Sequence, residues 1–460
     1  MGIFRVGKRQ QGMKTNRFFS HHTLACLLGL GLTVPTPAFS ADGLTGPALN
    51  RLNQQVERAV SRQIERQLDK ASERLPESAL PAAPATPPEL PARLAIQSDT
   101  GLELFADVEV EDGWRAVERQ WLVTVNASDT HHFNQPGITV IDQTPMAGLG
   151  LTVLRFRVSP GLDSRDQLQE LLPKALAQRV DRNHIYRPET DASNHQGPST
   201  TDEPPSCPVP VSIGMVDTAV ETDHPAFAGT TVVQRDFLQD LHLADSYHAP
   251  TDHGTAVASR LAGKTSANAA TRLPSATLFS ASVFYGQPAS VSGATLLHLV
   301  EGLAWLESND VTLINVSMAG PDNRVLATVI KRLIDRGTPV VAAVGNEGPA
   351  APVLYPAGYP EVIGVTAVNQ HRKIYRWANR GEQVDFAAPG VDVAVALTDG
   401  QYGSQSGTSL AAPVVSAQLA CALASTSLEN ALAQLTRRAD DLGDQGRDPV
   451  FGYGLLPDTH

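Results

Sequence analysis

Ser409 stands in the run Gly407-Thr408-Ser409-Leu410-Ala411-Ala412-Pro413, and two polar residues far upstream complete a set able to do nucleophilic chemistry. Asp217 ends the apolar run Val211-Ser212-Ile213-Gly214-Met215-Val216, and His253 opens His253-Gly254-Thr255-Ala256-Val257-Ala258. A serine hydroxyl is a weak nucleophile until a base takes its proton. An imidazole supplies that base near neutral pH, and a buried carboxylate holds its tautomer and steadies the cation that forms. Taken singly, an Asp after a strand is often a turn residue and a His at a helix start is often a cap. Three such residues, each in its own apolar context, favour the catalytic reading. Asn346, in Ala343-Val344-Gly345-Asn346-Glu347-Gly348, is the fourth candidate, because an amide after a strand can donate to a developing oxyanion. Alone, Gly-Asn-Glu-Gly is merely a turn.

These side chains need elements to hold them. The pattern predicts a helix over 409–424, with Leu410, Ala411, Val414, Val415, Leu419 and Leu423 on buried faces. A serine in its first turn feels the positive end of the helix dipole and can lend its backbone N–H to an oxyanion. Pro413 has no amide hydrogen, so the carbonyl of residue 409 must look elsewhere for a partner. Apolar strands at Val211–Val216, Val311–Met318, Pro339–Val344 and Val362–Val368 alternate with helical stretches at 294–308 and 323–336. That alternation implies an α/β fold, a parallel sheet sandwiched by helices. Functional groups gather at the C-terminal edge of such strands, where Asp217 lies.

Over 209–460 this set of motifs resembles the subtilisin-like serine peptidases (subtilases), in which the catalytic residues come in the order Asp, His, Ser. The resemblance implies catalytic roles for Asp217, His253 and Ser409 and an oxyanion role for Asn346, whose separation from the serine is close to the family's. A related acid-stable family carries Glu in place of the His, and His253 argues against it. Asn315-Val316-Ser317-Met318-Ala319-Gly320-Pro321 matches the segment whose backbone pairs with substrate. Ser292 and Gly293 fall where the second pairing strand lies. A polypeptide substrate would then be held as an added strand, chiefly by main-chain bonds. Leu354 falls near the base of the pocket for the residue before the scissile bond, where many relatives have a small side chain. A shallower apolar pocket is expected, favouring Leu, Met or Ala over large aromatics.

The usual family calcium site is expected to be absent. His224-Pro225 is followed by Ala226 where many relatives place an Asp, and the loop Lys264-Thr265-Ser266-Ala267-Asn268 is short. No cofactor and no metal ligand are expected. Asp440, Asp441, Asp444 and Asp448 read as a solvated loop in preference to another calcium site. His131, His132, His242 and His248 show no metal spacing.

The 460 residues exceed one ordinary core, so two folded units with connecting segments are expected. Residues 1–40 read as a signal peptide: a basic stretch, an apolar run from Leu24 to Val34, then Ala38-Phe39-Ser40 before a cut. An uncleaved signal anchor is the alternative. Residues 41–75 form an amphipathic helix with Leu52, Val56, Val60, Ile64 and Leu68 along one stripe. A Pro-rich linker follows at 76–93. Residues 94–187 form a compact α+β unit, with strands at Trp121–Val125, Ile138–Ile141, Leu151–Val158 and Val180–Tyr186 and a helix over Asp163–Ala175. Its element order and position resemble the ferredoxin-like, inhibitor-like propeptides of subtilases, the chain's own intramolecular inhibitor. An accessory domain kept in the mature enzyme is the other reading. Residues 188–208, rich in Ser, Thr, Asp, Asn and Pro, form a processing linker, and the peptidase domain spans 209–460.

The net charge is −12, and the five basic residues of the leader put the remainder at −17. So acidic a body repels nucleic acid and anionic lipid. No segment after the leader is long enough for stable membrane insertion. The expected location is secreted or periplasmic. Cys207 and Cys421 remain after leader removal. They either bridge or, for Cys421, fill an apolar helix face as a small hydrophobe, and neither has the charged neighbours of a nucleophile. The functional expectation is a serine endopeptidase made as a zymogen. A non-catalytic pseudoprotease acting as a binding module and a narrow-specificity processing protease are the alternatives.

Overall fold

The structure is a computed structural model that describes residues 90–188, 191–195, 207, 209–247, 249–287 and 291–457. The expected leader, the helix over 41–75 and the linker as far as residue 89 lie outside the described residues.

The first part of the described chain is a wholly antiparallel sheet covered by short helices. β1 (Arg93–Gln97) and β2 (Glu103–Glu109) form a hairpin that pairs with the first half of β3 (Arg115–Val125). β4 (Ile138–Met146) pairs with β5 (Leu151–Val158), β5 with β3, and β3 with β6 (Val180–Pro188). The hairpin was not foreseen. Its apolar alternation is short, and its turn depends on Gly101 at φ +79°, a backbone state that only the fold reveals. The single helix expected over 163–175 is instead two, α1 (Arg165–Leu171) and α2 (Lys174–Ala177). Pro173 explains the break, since the residue before a proline is pushed out of the helical region, and Leu172 is extended at ψ 151°. Leu168 and Leu176 still reach one core with Trp121, Leu154, Phe156 and Val180.

β7 (Asp191–His195) leads toward the second part. There β8 (Ser212–Asp217), β9 (Thr231–Asp236), α3 (Asp252–Leu261), β10 (Thr277–Ser282), β11 (Tyr285–Gln287), β12 (Val291–Thr295) and α4 (Leu296–Glu307) follow in turn. Next come β13 (Ile314–Val316), β14 (Met318–Ala319), α5 (Arg324–Asp335), β15 (Val340–Ala343) and β16 (Ile363–Val368). The chain closes with β17 (Phe386–Pro389), β18 (Val393–Ala396), β19 (Tyr402–Ser406), α6 (Thr408–Leu423) and α7 (Leu428–Arg438). Seven strands make a parallel sheet in the order β17-β16-β15-β13-β8-β10-β9. Its central strands β8, β13, β15 and β16 are largely apolar runs buried on both faces, while the edge strand β9 is mostly exposed. One core lies on the α3 and α6 face and a second on the α4 and α5 face. α6 is apolar nearly all round, so it is a buried helix with almost no solvent face.

Cys207 and Cys421 form a disulfide with Cα atoms 5.8 Å apart, which settles what the spacing left open. It pins the start of the second part to the C-terminal end of α6. Cys421→Ser should cost about 2–5 kcal/mol of stability. Thermal melts of a hydrolytically inactive variant with and without reductant would read this, at roughly 2–4 °C per kcal/mol. Equal melting temperatures would count against the bridge.

Candidate active site

Asp217 occupies the C-terminal end of β8, a central strand of the parallel sheet, and is fully buried. Its Oδ1 accepts from the backbone N–H of Thr218 at 2.7 Å and meets His253 Nδ1 at 2.5 Å. An imidazole that donates through Nδ1 carries its lone pair on Nε2, the tautomer able to receive a proton. His253 itself is 3% exposed, in the first turn of α3. That turn sits directly on the chain after Asp217: Gly254 N–H donates to Thr218 Oγ1 at 2.7 Å. A Cβ on Gly254 would lie 2.4 Å from the carbonyl oxygen of Thr218 and 2.5 Å from that of Ala219. Only glycine lets the histidine helix approach so closely.

Ser409 is the second residue of α6 and is buried. Its carbonyl, deprived of a helical partner by Pro413, accepts instead from Ser317 Oγ at 2.9 Å. Ser317 Oγ in turn accepts from Asn315 Nδ2, and Asn315 Oδ1 accepts from Ser416 Oγ, both at 2.9 Å. This chain of bonds ties the first three turns of α6 to β13 and its continuation. Two turns along α3 from His253, Arg260 Nε donates to the Leu410 carbonyl at 3.2 Å and Nη2 to that of Pro389 at 2.7 Å. The histidine helix and the serine helix are thereby fastened together.

Asn346 follows β15, after Gly345 at φ +106°. Its Oδ1 accepts from the Thr408 N–H and Thr408 Oγ1, each at 3.0 Å. These two bonds hold the oxygen end of the amide at the start of α6 and so fix the orientation of the group. Thr408 Oγ1 also accepts from Gly345 N–H at 3.3 Å. Thr218, Thr408 and Arg260 escaped the sequence reading. Thr408 and Thr218 were adjacent to named residues and had hydroxyls able to bond backbone, which was the available signal. Arg260 had none, because its partners lie more than a hundred residues away.

The strands flanking this centre are occupied by the chain's own β6. On one side Met318 pairs with Pro188 and Ala319 with Arg187. On the other, Ala294 pairs with Tyr186 and Thr295 with Ile185. Ser292 and Gly293, expected to make this second pairing, face Gly286 and Tyr285 of β11 instead. Ser292 and Gly293 thus lie on the same strand as this pairing and just ahead of it, an offset set by register, which is a tertiary property. Leu354 is buried, and its Cδ1 lies 2.6 Å from where a Cβ on Gly345 would be. The next residue, Tyr355, bridges to Gly320 beyond β14. Past Pro188 the chain reaches β7, in which Asp191 pairs with Ser406 and His195 with Ser404, just before Gly407 and Ser409.

Further contacts hold β6 in place. Asn323 caps α5 through Oδ1 and donates from Nδ2 to the Arg182 carbonyl at 3.0 Å and to His184 Nδ1 at 2.9 Å. Burial pushes the His184 imidazole down to about 4, so it stays neutral and accepts. On the other flank Glu301 of α4 faces Thr144, Asp142 and Arg155 of β4 and β5, and burial raises its carboxyl to about 7. A carboxyl raised in the folded state binds its proton more tightly there than in the unfolded chain. Its contribution is therefore full below its ordinary value near 4.5 and is lost as pH climbs through 7. Glu301→Gln should make an uncut precursor more stable at pH 8, by about 2–3 kcal/mol, and leave it nearly unchanged at pH 4. Melts at the two pH values check this; an equal effect at both would contradict it.

Among the described residues no group of three His, Cys, Asp or Glu side chains is arranged to hold a metal ion. The acidic cluster is engaged with protein. Asp440 pairs with Arg372, Asp441 Oδ2 accepts from Gly446 N–H at 2.9 Å, and Asp448 Oδ1 accepts from Val450 and Phe451 N–H at 2.7 and 2.8 Å.

Comparison with known proteins agrees with this architecture. Residues 210–454 match the model of the Subtilase family. The chain is 31% identical to subtilisin E of Bacillus subtilis (strain 168) over 221 residues, 46% of this chain and 55% of that protein. It is 31% identical to the subtilisin of Bacillus pumilus, covering 46% of this chain and 76% of that one. It is also 32% identical to the minor extracellular protease Epr of Bacillus subtilis (strain 168) over 165 residues, 35% of this chain and 26% of that protein. The chain thus spans from about a quarter to about three quarters of these curated relatives. Among solved structures, the prenylagaramide maturation protease PagA aligns with a TM-score of 0.46 at 24% identity, over 54% of this chain and 90% of that one. A family match over more than half of its length, together with these relatives, makes the chain a member of the subtilase family.

Proposed function

We propose that the protein is a serine endopeptidase made as a zymogen, with Asp217, His253 and Ser409 as its triad. The observation that carries the reading is the hydrogen bond from His253 Nδ1 to Asp217 at the sheet edge, on a helix fastened to the one that presents Ser409. Ser409 Oγ attacks the substrate carbonyl while His253 Nε2 takes its proton. Asp217 stabilises the imidazolium. The Ser409 N–H and Asn346 Nδ2 donate to the oxyanion of the tetrahedral intermediate. His253 then passes the proton to the leaving amine, and water hydrolyses the acyl-enzyme by the same steps. The pocket narrowed by Leu354 takes Leu, Met or Ala in preference to large aromatics.

Residues 94–187 act as an inhibitor-like propeptide. The sheet order β4-β5-β3-β6, with helices before β6, supports a ferredoxin-like unit. Its last strand lies where an extended substrate would lie, and this supports intramolecular inhibition. Pro188 pairs with Met318, next to Ser317, and Asp191 pairs with Ser406, three residues before Ser409, and this supports a self-cut between residues 188 and 191. The disulfide supports an oxidising location outside the cytoplasm, secreted or periplasmic. Activity needs no metal at the usual family site, and a chelator should leave it intact.

A fluorophosphonate probe should label the processed protein and fail to label Ser409→Ala. Absence of label and of casein hydrolysis by wild type would favour a pseudoprotease. Asn346→Ala should lower kcat by about 10²–10³, the size of loss known for removing such a donor from a subtilisin and not a value obtained for this chain. KM should change little. A loss confined to KM would assign Asn346 to substrate binding instead.

A further inference from the structure

Arg260 is 3% exposed in the last turn of α3, the helix whose first turn carries His253. Burying a guanidinium costs free energy that an apolar side chain of similar size would not, and what it adds is direction, through donors fixed in one plane. Nε donates to the carbonyl of Leu410, immediately after Ser409, at 3.2 Å, and Nη2 to that of Pro389, the last residue of β17, at 2.7 Å. These two acceptors belong to one joint. The residue after Pro389, Gly390, accepts from Gly407 N–H at 2.8 Å. A Cβ on Gly390 would lie 2.7 Å from the Gly407 carbonyl oxygen and 3.0 Å from Ala411 Cβ. The start of α6 thus rests on the end of β17, and Arg260 joins both to the histidine helix.

A second buried guanidinium holds the first. Arg272, 5% exposed, donates from Nη1 to the Arg260 carbonyl at 2.7 Å, at the end of α3. The Arg272 carbonyl accepts from Cys207 N–H at 2.9 Å, and Cys207 is bonded to Cys421 near the far end of α6. The path closes on itself, running from the start of α6 through Arg260, Arg272 and Cys207 to the end of the same helix. We propose that Arg260, backed by Arg272, is a positioning residue that sets the approach of Ser409 to His253. The proposal rests on the peptidase reading above and adds to it a determinant outside the motifs around Asp217, His253 and Ser409. Both guanidinium groups act through backbone carbonyls of the two helices, so they bear on the transfer of the serine proton and not on the strands that pair with substrate. A displacement on the order of 1 Å in such an approach costs about 10²-fold in rate.

The test compares Arg260→Met, which keeps the bulk and loses both bonds, with Arg260→Lys, which keeps the charge but can reach one carbonyl and not both. Active sites are counted with a fluorophosphonate, so that kcat refers only to folded, processed enzyme. On one peptide substrate Arg260→Met should lower kcat roughly 10- to 100-fold with KM unchanged. Arg260→Lys should recover part of that loss. Arg272→Met should lower kcat in the same direction but by less, and it decides the matter where the Arg260→Met precursor does not fold. A wild-type kcat in either methionine variant, a loss confined to KM, or a lysine variant no better than Arg260→Met overturns the proposal and leaves the peptidase reading standing. A lower melting temperature with kcat unchanged is the first of these outcomes and would make the arginines structural alone. If wild type takes no label and cuts no casein, the peptidase reading fails and takes the inference with it.

Discussion

Ser409→Ala should leave a full-length, folded precursor that cuts neither itself nor casein, with kcat lowered by a factor on the order of 10⁶, as found for the nucleophile of a subtilisin. The reasoning is local. The Oγ is the only atom removed, while the Ser409 carbonyl keeps its bond from Ser317 and Thr408 keeps Asn346, so the start of α6 retains its shape. Removing one buried hydroxyl from a helix with Pro413 in its first turns should change the melting temperature little. Mass spectrometry then separates two origins of the mature form. An uncut Ser409→Ala precursor means that the chain processes itself. Normal processing of that variant would assign the cut to another protease.

Asp217→Asn should fold and bind probe substrates but lose about 10⁴ in kcat. The amide is nearly isosteric, and its Oδ1 can still accept from Thr218 N–H, now at 2.7 Å. With the charge gone the amide no longer stabilises the imidazolium, and if its NH2 end turns toward His253 Nδ1 it favours the tautomer with the proton on Nε2; both Asp217 and His253 are too buried for water to substitute. Raising the pH should restore part of the rate, because hydroxide then competes with the handicapped base. Measurement of kcat against pH for wild type and Asp217→Asn decides the matter. Equal rates near pH 7 would reduce Asp217 to a structural acceptor for the turn at Thr218.

The two parts of the molecule differ in how much their residues disclosed. In the parallel sheet, apolar runs of strand length led to β8, β13, β15 and β16 within three residues at either end, since a strand buried on both faces admits little else. In the antiparallel part, the hairpin β1–β2 and the split of α1 from α2 were missed. There the decisive signals were a glycine conformation and a single proline, weaker than a hydrophobic period. The pocket residues show the same contrast. Met318 and Ala319, named through a local motif, pair with β6, whereas Ser292 and Gly293 lie two residues ahead of Ala294 and Thr295, which make the other pairing.

Residue types and short-range order alone determined which side chains could perform nucleophilic chemistry and which α/β scaffold would carry them, because apolar periodicity and motif composition are written along the chain. Only the tertiary structure decided that Cys207 meets Cys421, that Arg260 joins the helices carrying His253 and Ser409, and that β6 with its Tyr186 lies between β12 and β14. Each of those facts depends on register and on the approach of segments far apart in sequence, and no local pattern encodes the distance between them.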